Sequence, residues 1–255
     1  MKKCVLITGG VKNSGGAITE KFAREGWDVF ITSRNEEEAM GFAKTVSEKY
    51  GVNAYGYKTN GFDEADVKRI FDDIRSKGYL LDTLVCCAAN LGIGQKFFEV
   101  DINDFMDVIN TNIGWNFLLC REAARQMKEK GKGSIVFINS NTAYRVVENR
   151  VAYSTSKSGM LGLARTLAFD LGPYGIRVNS VLPGMIKTDR WETNLNNCRN
   201  YLSNNTPIGD IASCQDVANA AYFFGSDQSM NSTGAELTVD GGNMIQLTPR
   251  IPENN

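Results

Sequence analysis

Tyr153 and Lys157 stand four residues apart in the run Tyr153-Ser154-Thr155-Ser156-Lys157. On a helix that spacing puts the phenol and the ammonium on one face. A phenol ionises near pH 10, so acid/base work near neutrality asks for a shift of about three units, roughly 4 kcal/mol. A neighbouring cation supplies part of such a shift by stabilising the phenolate. The spacing is weak evidence by itself, because nine tyrosines and ordinary lysine usage give about half a match by chance. Ser140, thirteen residues before Tyr153, ends a predicted strand, where its hydroxyl can face the same cleft and stabilise charge on a substrate oxygen. Taken alone, it reads equally as a strand-end serine capping a turn. The chain contains no histidine, which excludes Ser-His and Cys-His nucleophile pairs, histidine metal ligands and the commonest general base. Proton transfer therefore falls to another residue, and no metal site is expected.

A second chemical signal is the glycine-rich run Thr8-Gly9-Gly10-Val11-Lys12-Asn13-Ser14-Gly15-Gly16 directly after the first apolar run. Glycines let main-chain amides approach an anion, and the helix N-terminus that follows adds partial positive charge, so the turn can hold a pyrophosphate. The three-glycine G-x-G-x-x-G spacing is absent, and a glycine turn that serves packing alone gives the same pattern. Two cations accompany it: Lys12 within the turn and Arg34 after the second strand. An NAD-type site of this kind usually places a carboxylate at the end of strand two, where it accepts from the ribose 2′-hydroxyl and repels a phosphate. Ser33 and Arg34 occupy that place here, which points to NADP(H).

These residues need a scaffold in which strand ends and helix starts converge. Short apolar runs predict strands at Cys4 to Thr8, Val29 to Thr32, Ala54 to Tyr57, Thr83 to Ala88, Ser134 to Asn139, Arg177 to Leu182 and Glu236 to Val239. Amphipathic stretches between them predict helices near Ala17 to Arg24, Glu36 to Lys49, Asp63 to Ser76, Phe105 to Lys128, Tyr153 to Leu171 and Asp216 to Phe224. The alternation predicts one α/β domain over residues 1–255, a doubly wound Rossmann-like fold. Its mostly parallel seven-stranded sheet carries helices on both faces, with ligand at the carboxyl ends of the strands. The segment 185–211 lacks a clear period and holds six asparagines with Arg190, Trp191 and Tyr201; it is expected to be the substrate loop, the alternative being a solvated surface loop.

Acidic and basic residues number 29 and 28, so no global field favours nucleic acid or an anionic membrane. The six cysteines show no zinc-type spacing and are expected to be reduced. With no signal-peptide pattern and no apolar run long enough to span a membrane, the expected location is cytoplasmic.

In the order of its motifs the chain resembles the short-chain dehydrogenase/reductase family over nearly its whole length. The run from Thr8 to Gly15 is similar to the family's T-G-x-x-x-G-x-G, with Asn13 in place of the middle glycine, and asparagine tolerates a left-handed backbone. Ser140, Tyr153 and Lys157 match the family's catalytic spacing, and Asn112 in Asn110-Thr111-Asn112 matches its catalytic asparagine. Arg177-Val178-Asn179-Ser180-Val181-Leu182-Pro183-Gly184 resembles the stretch flanking the nicotinamide, and Val239-Asp240-Gly241-Gly242 the C-terminal signature. Cys86-Cys87-Ala88-Ala89 replaces N-N-A-G at the end of strand four, and Asn60 replaces an aspartate that commonly meets the adenine.

The resemblance implies an NADP(H)-dependent oxidoreductase acting on a carbonyl or secondary alcohol of a small molecule: a sugar or polyol, a 3-oxoacyl group or a steroid. Tyr153 is then the acid/base, and Ser140 positions the substrate oxygen. Lys157 holds the nicotinamide ribose and lowers the tyrosine pKa, and Asn112 fixes a water in a relay reaching Lys157. The implied cofactor contacts are Gly9, Lys12, Asn13, Ser14, Gly15, Arg34, Asn60, Ala88, Tyr153, Lys157, Pro183, Gly184, Ile186 and Thr188. A homotetramer is the implied assembly. The competing reading is a catalytically impaired nucleotide sensor or scaffold on the same fold.

Overall fold

Runs of branched and aromatic side chains with no exposed position form the strands β1 (Cys4–Ile7), β2 (Asp28–Ser33) and β4 (Thr83–Cys86), and β3 (Ala54–Lys58) borders them. The computed structural model describes residues 2–189 and 204–248. The main sheet also contains β5 (Gly133–Ile138), β6 (Ile176–Pro183) and, after two short strands β7 (Ile186–Lys187) and β8 (Ala212–Ser213), β9 (Glu236–Val239). Its order is β3-β2-β1-β4-β5-β6-β9, and every pairing is parallel. All seven predicted strands are present, with no end moved by more than two residues. Chain order reverses between β1 and β4, and at such a switch point the loops beyond the carboxyl ends part to leave a crevice.

Strand residues alternate between two cores. Phe30, Leu84, Phe137 and Val178 pack on one face of the sheet, beneath α3 (Glu64–Ser76), α5 (Trp115–Lys130) and α6 (Val151–Leu171). Val29, Ile31, Val85, Val136 and Val181 pack on the other, against α1 (Asn13–Arg24), α2 (Glu36–Tyr50) and α7 (Cys214–Gly225). This period of two, buried on both sides, is why the strands read as continuous apolar runs. Local signals fix the helix ends. The Asn35 and Asp63 side chains accept amide hydrogen bonds at the starts of α2 and α3, and Ser213 and Asp216 form a reciprocal capping box on α7.

Two features depart from the sequence reading. The single helix expected from Phe105 to Lys128 is two helices, α4 (Ile102–Ile109) and α5, joined by a π-turn over Asn110–Gly114. Periodicity does not register one extra residue in a turn, and such π-turns concentrate at functional sites. Asn112 lies inside it. The strands β7 and β8, too short to leave a period, pair in parallel with Ile186 opposite Ala212, which fastens together the two ends of the predicted 185–211 loop. Arg190, Trp191, Cys198 and Tyr201 lie outside the described residues. The other five cysteines are free thiols.

Candidate active site

Ser140, Tyr153 and Lys157 meet where β5 ends and α6 begins. Tyr153 is the third residue of α6 and Lys157 lies one turn on. The Lys157 ammonium is 5.6 Å from the centroid of the Tyr153 ring and donates a 2.9 Å hydrogen bond to the Ile138 carbonyl, at the last residue of β5. Two residues further, the buried Ser140 hydroxyl accepts from the Thr142 amide at 3.2 Å and lies close enough to the Tyr153 phenol to pull its pKa down. Ser140 thus caps the turn Asn141–Ala143 and lies beside Tyr153 as well.

The electrostatics correct one expectation. Burial pushes the Tyr153 phenol above its ordinary value, and the downward pull comes from Ser140 and the Arg150 guanidinium rather than from Lys157. Lys157, 2 % exposed, is itself pushed down to about 8 by burial. The protein's own groups therefore keep Tyr153 protonated at neutral pH, the form that gives a proton to a substrate oxygen.

Asn112 is fully buried, and its side chain makes three hydrogen bonds. Its Oδ1 accepts from the Asn90 amide at 2.7 Å, and its Nδ2 donates to the Asn90 carbonyl and to Ser156 Oγ, both at 2.9 Å. Ser156 Oγ in turn donates to the Tyr153 carbonyl at 2.7 Å. The side chain thus ties the segment after β4 to the first turn of α6.

The glycine-rich turn is shaped by close backbone approach. Gly9 has φ 63°, and a methyl there would lie 3.1 Å from Ala88 Cβ; a methyl on Gly15 would lie 2.0 Å from the Gly9 carbonyl oxygen. Asn13 has φ 48°, the left-handed backbone expected of it. Thr8 Oγ1 accepts from the amides of both Cys87 and Ala88, at 3.0 and 3.1 Å. One hydroxyl thereby anchors the end of β4, which explains how Cys86-Cys87-Ala88-Ala89 manages without strand-end asparagines. A cleft of about 920 Å³ opens here, lined by Gly9, Lys12, Asn13, Ser33, Arg34, Asn60 and Ala88. It adjoins the hollow beside Tyr153 and Arg150, since Leu91 lines both. Bare glycine backbone at a strand-to-helix turn and a cleft of this volume fit a dinucleotide.

The remaining expected contacts converge from β6. Pro183 ends that strand, the Gly184 amide donates to the Val239 carbonyl at 3.0 Å, and Ile186 lies in β7. Thr188 shares a hollow with Lys12 and Asn13, and the Asp189 amide donates to Asn13 Oδ1 at 3.3 Å. Ser14 donates to Cys214 Sγ at 3.8 Å.

Lys12 departs from expectation. Its ammonium is paired with the Glu38 carboxylate rather than standing free, and Ser33 Oγ donates to the same carboxylate at 2.9 Å. Arg34 has no ion-pair partner among the described residues. Sequence reasoning missed Glu38, although Asn35 followed three residues later by Glu38 is a helix-start signature. It also missed Arg150, three residues before Tyr153, and the roles of Thr8, Asn90 and Ser156, whose bonds to Cys87, Ala88 and Asn112 join segments distant in sequence.

A family model described as enoyl-(acyl carrier protein) reductase matches residues 10–243. The 3-oxoacyl-[acyl-carrier-protein] reductase FabG of Aquifex aeolicus is 32 % identical over 242 residues, 94 % of this chain and 96 % of that one. The L-rhamnose-1-dehydrogenase of Scheffersomyces stipitis is 33 % identical over 251 residues, 96 % of this chain and 97 % of its own. Among solved structures, ElxO with NADP bound superposes with a TM-score of 0.89 at 30 % identity, covering 96 % of this chain and 100 % of ElxO. Since the model match and both relatives extend across almost the entire sequence, the chain belongs to the short-chain dehydrogenase/reductase family and is an oxidoreductase.

Proposed function

We propose that the chain is an NADP(H)-dependent oxidoreductase acting on the carbonyl or secondary alcohol of a small molecule, with Tyr153 as acid/base. The observation that carries this reading is the packing of the half-buried Tyr153 with the buried Ser140 and Lys157 into one cluster beside the glycine-lined cleft. Gly9, Asn13, Ser14 and Gly15 would hold the pyrophosphate of the dinucleotide, Arg34 its 2′-phosphate, Asn60 the adenine, and Pro183, Gly184, Ile186 and Thr188 the nicotinamide end. A nicotinamide cofactor bound there supplies or takes up the hydride. Tyr153 gives its proton to the substrate oxygen in reduction and takes one back in oxidation, and Ser140 orients that oxygen. Lys157 holds the cofactor ribose. Asn112 acts by position, keeping the backbone beside Asn90 and the start of α6 in register.

The relatives' names support a sugar or a 3-oxoacyl substrate, and the polar composition of 185–211 favours the sugar or polyol class, with that segment as substrate loop. Large exposed side chains on the helices, Ile102 on α4, Phe117 on α5 and Phe169 on α6, support a homotetramer. Among the described residues no helix is long and apolar enough to cross a membrane; a cytoplasmic location is the reading we favour. A panel of ketoses and aldonates, a 3-oxoacyl thioester and a steroid ketone, assayed with NADPH and NADH, tests the proposal. Turnover of at least one class is expected, and none with either cofactor would leave the sensor or scaffold reading instead.

A further inference from the structure

The strongest unexplained feature of the cleft is an anion already placed where a phosphate is expected. Glu38, third residue of α2, reaches back across the mouth of the glycine-rich turn. One carboxylate oxygen pairs with the Lys12 ammonium and the other accepts from Ser33 Oγ at 2.9 Å. All three residues line the 920 Å³ cleft with Arg34 and Asn60. The arrangement is held locally: the Ser33 hydroxyl also accepts from the Asn35 amide at 3.2 Å, and the Asn35 side chain accepts from the Glu38 amide at 3.1 Å. Lys12 and Ser33, two of the three groups able to serve a 2′-phosphate, are therefore committed to a carboxylate of this chain.

A ribose 2′-hydroxyl and a 2′-phosphate meet Glu38 in opposite ways. The hydroxyl is a donor, and a carboxylate is its natural acceptor. The phosphate carries negative charge, so it must displace Glu38 from Lys12 and Ser33 and then remain beside a like charge, or else rely on Arg34 alone. We infer that Glu38 is the residue that sets cofactor choice here, acting as a built-in competitor of the 2′-phosphate and narrowing the preference that two free cations would give. This rests on the proposal that the cleft holds a nicotinamide dinucleotide with its adenosine ribose beside Ser33. Lys12 becomes a phosphate ligand only when Glu38 lets go.

The probes are 2′,5′-ADP and 5′-AMP, which differ only in the 2′-phosphate, titrated calorimetrically into wild type, Glu38→Gln and Glu38→Gln/Lys12→Ala. Glutamine keeps the shape and removes the charge from a side chain that is 29 % exposed, and thermal unfolding confirms that each variant folds. One charge-assisted contact released to the ligand, discounted for exposure, is worth about tenfold. Glu38→Gln is expected to tighten 2′,5′-ADP about tenfold while 5′-AMP moves less than about threefold, and Lys12→Ala on top is expected to remove the gain. An affinity ratio that Glu38→Gln leaves in place, or a gain that survives Lys12→Ala, overturns the inference. Turnover is read separately on the same proteins. A shifted ratio without turnover of any carbonyl defeats the proposed function and spares the role of Glu38, whereas turnover with an unshifted ratio does the reverse.

Discussion

Lys157 is expected to weaken the fold that it serves, and the size of the effect follows from its burial. Its pKa falls from the ordinary 10.5 to about 8 because the ammonium is desolvated. A free-chain lysine therefore binds more protons than the folded one between those two values, so stability rises with pH across that window. Below pH 8 the full penalty is present, about 3 kcal/mol at 1.36 kcal/mol per unit. Replacing the side chain by methionine removes the penalty but strips the Ile138 carbonyl of its 2.9 Å donor, which costs about 1–3 kcal/mol. Lys157→Met should therefore be as stable as wild type or up to about 2 kcal/mol more stable at pH 7, and less stable at pH 10. The quantity to measure is the difference in urea-unfolding free energy between wild type and variant, with protein concentration held fixed. It should change by about 2–3 kcal/mol between pH 7 and pH 10, the other titrating groups cancelling between the two proteins. A difference that stays flat with pH would refute the buried, depressed lysine.

Gly15→Ala should weaken NADP⁺ binding by at least about tenfold and cost about 1–3 kcal/mol, because its methyl would sit 2.0 Å from the Gly9 carbonyl oxygen; calorimetry and a thermal melt check both. Asn112→Leu should lower kcat more than it raises KM and destabilise the fold by about 2–4 kcal/mol, since the Asn90 amide and carbonyl lose their partners. A normal kcat with a strongly raised KM would move Asn112 into substrate binding instead. Arg34→Ala should cut kcat/KM for NADPH about tenfold at low salt, with a smaller loss at high salt, and Lys12→Ala should cost less than about threefold because Glu38 already holds that ammonium. Equal losses in the two variants would contradict the pairing.

The legible parts of this protein are those encoded over a few residues. The continuous apolar runs that made β1, β2 and β4 readable come from burial on both faces. The Tyr153–Lys157 spacing, the Ser140 strand end and the left-handed Asn13 all rest on local geometry. What escaped depends on partners far along the chain or on charge. Lys12 looks like a free cation until α2 brings Glu38 across to it. The π-turn at Asn110–Gly114 adds no break in composition, and β7 and β8 are too short to set a period. The tyrosine pKa could not be read from spacing, because burial outweighs the downward pull of Ser140 and Arg150.

Tyr153→Phe removes the hydroxyl and keeps the ring, so it separates proton transfer from binding. The decisive measurement is turnover of the best carbonyl substrate by wild type and this variant, alongside the Kd for NADPH of each. Turnover should fall by about 10²–10⁴-fold while the Kd changes less than about threefold, since the phenol's loss leaves the glycine-lined cleft intact. Wild-type turnover in Tyr153→Phe would contradict the assignment of Tyr153 as the acid/base of this oxidoreductase.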